Sequence, residues 1–220
     1  MLYEVHCCQQ QECRLRKQQR IRVFLDFWNF QLSLNENCNE QLKLDWLKLP
    51  VWLANRADDV LVAAGEPSGR YLGGIVYASY DPWKPDDTTM LHWLETIVAR
   101  APGVQLVTKA RKPKSPPVCP SCHHELRICP ECNEPIRRMG EKGIDTGLVT
   151  DLLKHAWEDT YDTAVLVSSD ADFIPAVQLI QTKGKRVIHV GFPPNGMELQ
   201  RECWASVNLG TLVGKLPLRA

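Results

Sequence analysis

A chain of 220 residues with 44% hydrophobic and 24% charged residues is long enough for one well-packed domain, or for one domain with a small insert. The 26 Lys and Arg residues balance the 26 Asp and Glu residues, so there is no global basic signature of nucleic-acid binding. No apolar run reaches the roughly 18 residues needed to span a membrane. We therefore expect a globular protein without a membrane partner, in which any binding charge is local.

Residues 1–20 are rich in Gln, Arg and Cys without a sustained period, which favours a flexible or weakly helical leader. They lack the continuous apolar core of a secretory signal. The chain has nine cysteines, and without a signal sequence such usage indicates metal ligation in a reducing compartment more than disulfides. We therefore expect a cytoplasmic protein. Cys7, Cys8 and Cys13 stay open as minor candidate ligands.

Strand and helix patterns alternate after this leader. Short apolar runs bounded by turn residues predict strands, and apolar residues at a 3.6-residue spacing predict helices. Their alternation is typical of an α/β fold with a mainly parallel sheet, and the polar stretch 31–41 is expected to be a loop. The predicted strands are 21–26, 60–64, 71–80, 104–107, 164–167 and 187–190, and the predicted helices are 45–57, 88–100, 145–157, the segment after residue 172 and 197–205.

A cysteine-rich insert interrupts the alternation. Two Cys-Pro-x-Cys units, separated by six residues, supply four thiolates. Such pairs suit tetrahedral zinc, and four thiolates leave no open position, so we expect a structural zinc ribbon at 109–138. A redox dithiol and an iron–sulfur site are the alternatives, and His123 or His124 could replace a thiolate, although exposed loop positions are expected for both. The four candidate zinc ligands are Cys119, Cys122, Cys129 and Cys132.

The insert divides the predicted main domain into two segments, 21–108 and 139–210, followed by a C-terminal tail at 211–220. The insert and its flanks, residues 109–142, also hold eight basic residues against four acidic ones. A basic finger beside a crevice could contact phosphates, and a solvated linker is the alternative. The candidate nucleic-acid-binding residues are Lys109, Arg111, Lys112, Lys114, Arg137, Arg138 and Lys142.

Four aspartates make up the proposed catalytic set. Asp26, Asp170 and Asp172 lie at or just after the ends of apolar strands, and Asp145 opens a helix. If the sheet is parallel, all four could meet at the edge where ligands bind. Such a cluster repels itself unless cations bind, and hard oxygen ligands suit Mg²⁺ or Mn²⁺, which can support phosphodiester hydrolysis.

Helix capping is the competing interpretation of Asp145 and Asp172, since both precede helical segments. Asp151 is a weaker candidate, because it falls about 240° around the helix from Asp145.

Three short motifs stand out in the chain. They are Asp26-Phe-Trp-Asn29, Glu141-Lys-Gly-Ile-Asp145 with Asp151-Leu-Leu, and Val167-Ser-Ser-Asp170-Ala-Asp172-Phe173 with Gly184-Lys-Arg-Val. These motifs resemble the signatures of the NYN domain, a family of PIN-like nucleases. The resemblance implies a Rossmann-like α/β/α sandwich and metal-dependent ribonuclease activity, with the four aspartates as metal ligands and Asn29 orienting water or a ligand. Phe27 and Ser169 stand where the family commonly has Gly, and the zinc ribbon is not part of the minimal domain.

Aromatic residues could hold unpaired bases of RNA by stacking. Trp28 and Trp83, near strand ends, are open to either stacking or packing, whereas Trp93 fits a helix core. The leading hypothesis is an endoribonuclease that leaves a 3′-hydroxyl and a 5′-phosphate and acts on single-stranded or structured RNA. An inactive RNA- or protein-binding module, a DNA nuclease and a phosphatase are the alternatives. The oligomeric state is open.

Overall fold

The centre of the protein is a six-stranded parallel sheet. The computed structural model describes residues 18–38 and 42–219, so the predicted leader, with Cys7, Cys8 and Cys13, lies almost entirely outside the described residues. The strands in chain order are β1 (Gln19–Asp26), β2 (Gly69–Tyr80), β3 (Val104–Ala110), β4 (Lys112–Lys114), β5 (Arg138–Gly140), β6 (Thr163–Val167), β7 (Arg186–Gly191) and β8 (Ala205–Asn208). The order across the main sheet is β3-β2-β1-β6-β7-β8.

Helices cover both faces of this sheet. They are α1 (Phe27–Asn37), α2 (Leu49–Ala63), α3 (Pro85–Thr96), α4 (Ile144–Trp157), α5 (Ile174–Thr182) and α6 (Met197–Glu202). Alternate residues of β1 point to opposite faces: Leu25 packs with α1 to α3, and Phe24 packs with α4 to α6. The predicted α/β/α sandwich with a mainly parallel sheet is thus confirmed.

The order in which successive strands are added to the sheet changes direction at the middle of the sheet. β1 lies beside β6, and from this pair β2 and β3 extend to one side whereas β7 and β8 extend to the other. In open α/β sheets, such a switch point opens a crevice beyond the carboxyl ends of the two central strands. A ligand site in this fold is therefore expected among the residues that follow β1 and β6.

Two local predictions were wrong because tertiary packing selected a helix. The expected loop at 31–41 forms α1 up to Asn37, since Phe30 and Leu34, one helical turn apart, are both buried. The expected strand at 60–64 belongs to the end of α2, where Leu61 continues a buried stripe, and Ala64 follows as the helix cap. A short apolar run fits either structure, so periodicity alone could not separate them.

The C-terminal part also differs from the prediction. The expected helix at 197–205 ends at Glu202, and the chain then adds the edge strand β8, in which Val207 is buried. The tail continues as a 3₁₀ helix, Leu209–Lys215, and Leu218 bridges to Leu44. Only one of the four residues of β8 is buried, so its sequence lacks the continuous apolar run that predicts an inner strand.

The cysteine-rich insert forms a finger, residues 115–137, on a short antiparallel stem made of β4 and β5. β4 and β5 pair with Lys112 opposite Gly140 and Lys114 opposite Arg138, and both Cys-Pro-x-Cys units lie between these strands. Across the described ranges, none of the helices has the length and apolar character needed to cross a membrane.

Candidate active site

Asp26 and the loop that carries Asp170 meet at the switch point through Ser168. Asp26 ends β1, and its Oδ1 accepts the Asn29 amide at 3.2 Å, which caps α1. Asp170 follows β6, and its backbone amide donates to Ser168 Oγ at 3.3 Å. Ser168 Oγ in turn lies 3.5 Å from Asp26 Oδ2. The loop after β6 therefore meets the end of β1, as expected for parallel neighbours.

Electrostatic interactions show that the other acidic residues converge on the same edge. Burial raises the pKa of Asp26 to about 6, against the opposing effect of the Asn29 amide, and Asp145, Glu141 and Asp170 raise it further by repulsion. The pKa of Asp145 is also raised, by burial and then by Glu141, Asp170 and Asp172. The other three predicted aspartates, and Glu141 as a fifth carboxylate, thus lie within electrostatic range of Asp145.

This acidic cluster has no cationic partner in the described part of the chain. The ion pairs of residues 18–38 and 42–219 involve neither the four aspartates nor Glu141. Within the same ranges, no three His, Cys, Asp or Glu side chains are placed as a ready-made metal-binding group. The donors are nevertheless hard oxygen atoms, the type that Mg²⁺ and Mn²⁺ prefer, so the residues present fit such a cation chemically.

Glu141 is the site residue that sequence reasoning missed. It lies between β5 and α4, and its carboxylate accepts a hydrogen bond from the hydroxyl of buried Ser79, which in turn accepts one from Arg111 Nε at 3.0 Å. The available signal was its position in the Glu141-Lys-Gly-Ile-Asp145 motif. Nothing in the sequence places Ser79 next to Glu141, so local patterns do not predict that its carboxylate lies at the acidic edge.

The loop that carries Asp170 and Asp172 is attached to α1 by Asn29. The side-chain oxygen of Asn29 accepts the Ser169 amide at 2.8 Å. The expected role of Asn29 in orienting water or a ligand stays a prediction, and the contact observed is a structural one that positions the loop.

Helix capping falls on different aspartates from those expected. The residues at the N-terminal caps are Asp26 for α1 and Asp170 for the 3₁₀ turn 171–173, where Asp170 accepts the Asp172 amide at 2.9 Å. Asp145 lies within the first turn of α4, which begins after Gly143 at a φ of 84°. Capping therefore does not account for Asp145 or Asp172, since Gly143 and Asp170 occupy the cap positions.

Asp151 stands apart from the cluster. Its carboxylate accepts the Tyr77 hydroxyl at 2.9 Å, and Tyr77 is fully buried beneath α4. Asp151 thus has a structural role, because its hydrogen bond joins α4 to β2.

The predicted basic residues lie between the acidic edge and the finger. Lys109 Nζ donates to the Gly143 carbonyl at 2.9 Å, and the Arg111 guanidinium lies 5.3 Å from the centre of the Trp28 ring. Trp28 itself is half-buried and donates to the Ser79 carbonyl at 2.6 Å, so packing accounts for much of its surface. Exposed side chains occupy the stem and its flanks: Lys112, Lys114, Arg137, Arg138 and Lys142.

The two cysteine units fold as near-identical turns. The amide of the first cysteine in each unit donates to a carbonyl five residues later, Cys119 to His124 and Cys129 to Glu134, both at 2.9 Å. Backbone amides of the following residues lower the pKa of the Cys119 and Cys129 thiols. Each unit thus presents a pair of cysteines in a thiolate-stabilising turn, whereas the described structure does not draw all four into one metal-binding group.

His123 and His124 are exposed, as expected of loop residues. His123 has a φ of 57°, and Asn133 at the matching position of the second unit has a φ of 58°. The two units therefore share a turn in which this position has a left-handed backbone conformation.

The strand order, the switch point and the acidic edge together define a PIN-like α/β domain. A model of the NYN domain matches residues 20–208, and the chain therefore belongs to the NYN domain family, whose members are generally nucleases. The crystal structure of a protein of unknown function from Vibrio parahaemolyticus RIMD 2210633 is similar over 87% of this chain and 93% of its own, with a TM-score of 0.51 and 17% identity. That similarity supports the fold alone. No curated protein matches the sequence significantly.

Proposed function

We propose that this protein is a Mg²⁺- or Mn²⁺-dependent endoribonuclease. The observation that carries the proposal is the convergence of Asp26, Asp145, Asp170, Asp172 and Glu141 at the switch point without a cationic partner among the described residues. Unpaired carboxylates that repel one another raise the free energy of the folded state, so a bound cation is the natural compensation. Membership of the NYN family supports a phosphodiester substrate.

The carboxylates would hold the cation, and the chain keeps them in place. Asp26 and Asp170 are fixed by the backbone amides that they cap, and the Asn29 contact fixes the loop between β6 and the 3₁₀ turn. A bound Mg²⁺ or Mn²⁺ would supply Lewis acidity for attack of water on phosphorus and would neutralise charge on the leaving oxygen. The expected products are a 3′-hydroxyl and a 5′-phosphate.

The substrate proposed is RNA that is single-stranded or structured. The support is the strip of cationic side chains between the acidic edge and the finger, which can neutralise phosphates. Cysteines in thiolate-stabilising turns further suit a reducing compartment such as the cytoplasm, which is where the substrate would be found.

A structural zinc ion in the finger completes the proposal. The donor set is two matching pairs of cysteines, and hydrogen bonds from backbone amides favour the thiolate form that zinc requires. The ligands would be Cys119, Cys122, Cys129 and Cys132, with the zinc ion linking the two turns into one folded unit.

The decisive experiment compares three substrates. Purified protein is incubated with an RNA, a single-stranded DNA of the same sequence and a phosphomonoester, each with Mn²⁺ or Mg²⁺ and with excess chelator. Asp170→Asn and Asp26→Asn keep the capping oxygen while removing the charge. Asp59→Asn is the matched control, since Asp59 lies on α2 and pairs only with Arg56 at 2.9 Å.

We expect metal-dependent cleavage of RNA that both site variants abolish and Asp59→Asn retains. Cleavage that is unchanged in both site variants would overturn the assignment of the site. Preferential turnover of DNA or of the phosphomonoester would identify one of the alternative phosphoryl reactions. A folded protein that binds no metal and cleaves no substrate would favour the alternative of a binding module.

A further inference from the structure

An exposed tryptophan stands at the base of the finger. Trp83 lies in the loop between β2 and α3, and 71% of its surface is accessible. Across a cavity of about 390 Å³ it faces the stem of the finger, where Pro113, Lys114 and residues 136–139 form the opposite wall. A cavity of this size is at the small end of the range for ligand sites and can admit a planar ring.

Trp83 differs from the other tryptophans in its surroundings. All seven lie in the described part of the chain, and Trp83 alone has no aromatic or cationic partner against its ring. Its exposed fraction is the highest among the large apolar side chains of the described ranges, so its ring face is free to contact a partner. The other six, each with a ring or cation contact, are Trp28, Trp46, Trp52, Trp93, Trp157 and Trp204.

The backbone that carries this ring is firmly held. The Trp83 amide donates to Asp81 Oδ1 at 2.9 Å, and the Asp81 amide donates to Asp87 Oδ2 at 2.8 Å. Both aspartates are buried, and the Arg111 amide joins the start of the finger to the Tyr80 carbonyl at 2.7 Å. The ring is therefore exposed from an ordered loop that is anchored beside the stem.

Positive charge surrounds the cavity. Lys114, Arg137 and Arg138 line it, and no ion pair in the described ranges involves any of them. A second cavity of about 320 Å³ shares the Trp83 and Arg137 walls and reaches Arg111. Arg111 donates to buried Ser79, which donates to Glu141, so a chain of side-chain contacts joins this second cavity to the acidic edge.

We propose that Trp83 and the facing stem form a stacking site for one unpaired base of single-stranded RNA, with its neighbouring phosphates on Lys114, Arg137 and Arg138. The inference rests on the proposed ribonuclease function, and it names where the strand is held outside the cleavage site. A single strand is favoured because bases in a duplex have their faces covered, whereas an unpaired base can stack on an aromatic side chain. The cationic lining favours a polyanion over a protein partner.

The test measures binding apart from cleavage. The affinity of a fluorescein-labelled 12-mer RNA is measured by anisotropy over a series of salt concentrations, in the Asp170→Asn background, without chelator, so that any zinc is kept. Trp83→Ala and Trp83→Phe are compared with Trp157→Ala, a matched control in which the tryptophan is 48% exposed and lies at the end of α4 against Lys183. Arg137→Gln with Arg138→Gln is measured in parallel.

Trp83→Ala is expected to weaken binding roughly tenfold at every salt concentration, and Trp83→Phe to restore most of the loss, because Phe also stacks. The double arginine variant should instead flatten the salt dependence, by roughly 1.4 in log–log slope for two lost phosphate contacts on a single strand. Trp157→Ala should bind as the parent does. Unchanged affinity in Trp83→Ala, or equal losses in Trp83→Ala and Trp83→Phe, would overturn the stacking site. Absence of cleavage by the unsubstituted protein, together with RNA binding that depends on Trp83, would count against the proposed function and leave the stacking site standing.

Discussion

The side-chain oxygen of Asn29 accepts the backbone amide of Ser169 at 2.8 Å, and this bond connects the start of α1 to the loop after β6. The same loop carries Asp170 and Asp172, while the first turn of α1 is capped by Asp26. One hydrogen bond between α1 and the loop after β6 thus joins the two segments that carry Asp26 and Asp170, which are far apart in the sequence.

Asn29→Ala is expected to loosen this loop without unfolding the protein. The net loss is about 1 kcal/mol for a hydrogen bond of this kind, a small part of the stability of a domain. We expect weaker Mn²⁺ binding and reduced cleavage, with a nearly unchanged melting temperature. Asn35→Ala is the control, since Asn35 lies on the exposed side of the same helix. Full activity and metal affinity in Asn29→Ala would show that the loop keeps its position without this bond.

Asp26 gives the fold a distinctive pH dependence in buffer without Mg²⁺ or Mn²⁺. Its pKa is raised to about 6 in the folded state, chiefly by burial, from an ordinary value of 3.8. Between these values the folded protein binds more protons than the unfolded chain, so this group makes stability fall as pH rises, until the loss levels off at roughly 3 kcal/mol above pH 6.

Asp26→Asn should therefore raise the melting temperature at pH 7.5, by an amount on the order of 5 °C, and change it little near pH 4. Adding Mn²⁺ should stabilise the parent protein more than the variant, because the variant has one charged carboxylate fewer to hold the cation. Thermal unfolding at the two pH values provides the measurement. A variant that is less stable than the parent at pH 7.5 would contradict the burial of an unfavourable charge.

Glu141 is predicted to take part in metal binding. It raises the pKa of both Asp26 and Asp145, so Glu141→Gln should lower both pKa values and weaken Mn²⁺ binding, measured by calorimetry. Glu134→Gln, an exposed glutamate of the finger, serves as the control for removing one negative charge. Equal Mn²⁺ affinities in the two variants would show that Glu141 acts only through its contact with Ser79.

The finger is predicted to bind one zinc ion per chain. Elemental analysis of protein purified without chelator should find about one equivalent, and Cys119→Ser with Cys132→Ser should lose it, since each substitution removes one thiolate from a different turn. Cys38→Ser is the control, because Cys38 lies at the end of α1, outside the finger. A double variant that keeps both its zinc and its stability would contradict the assignment.

The sequence by itself determined the alternation of apolar strands and amphipathic helices, and with it the α/β class and the polar residues that follow each strand. Asp26 and Asp170 could be placed at strand ends because parallel strands buried on both faces are nearly continuous apolar runs, which local patterns reveal. The paired cysteines were equally visible, since their spacing is short and local.

Only the tertiary structure decided which distant residues meet. The register of β1 with β6 brings Asn29 to Ser169, and the route of the chain back from the finger brings Glu141 to Ser79; neither contact leaves a trace in local periodicity. The same holds for α1, chosen over a loop by the burial of Phe30 and Leu34, and for Trp83, whose exposure depends on the loop anchored by Asp81 and Asp87. Pairwise contacts between distant segments set these features, and a sequence pattern reports only on neighbours along the chain.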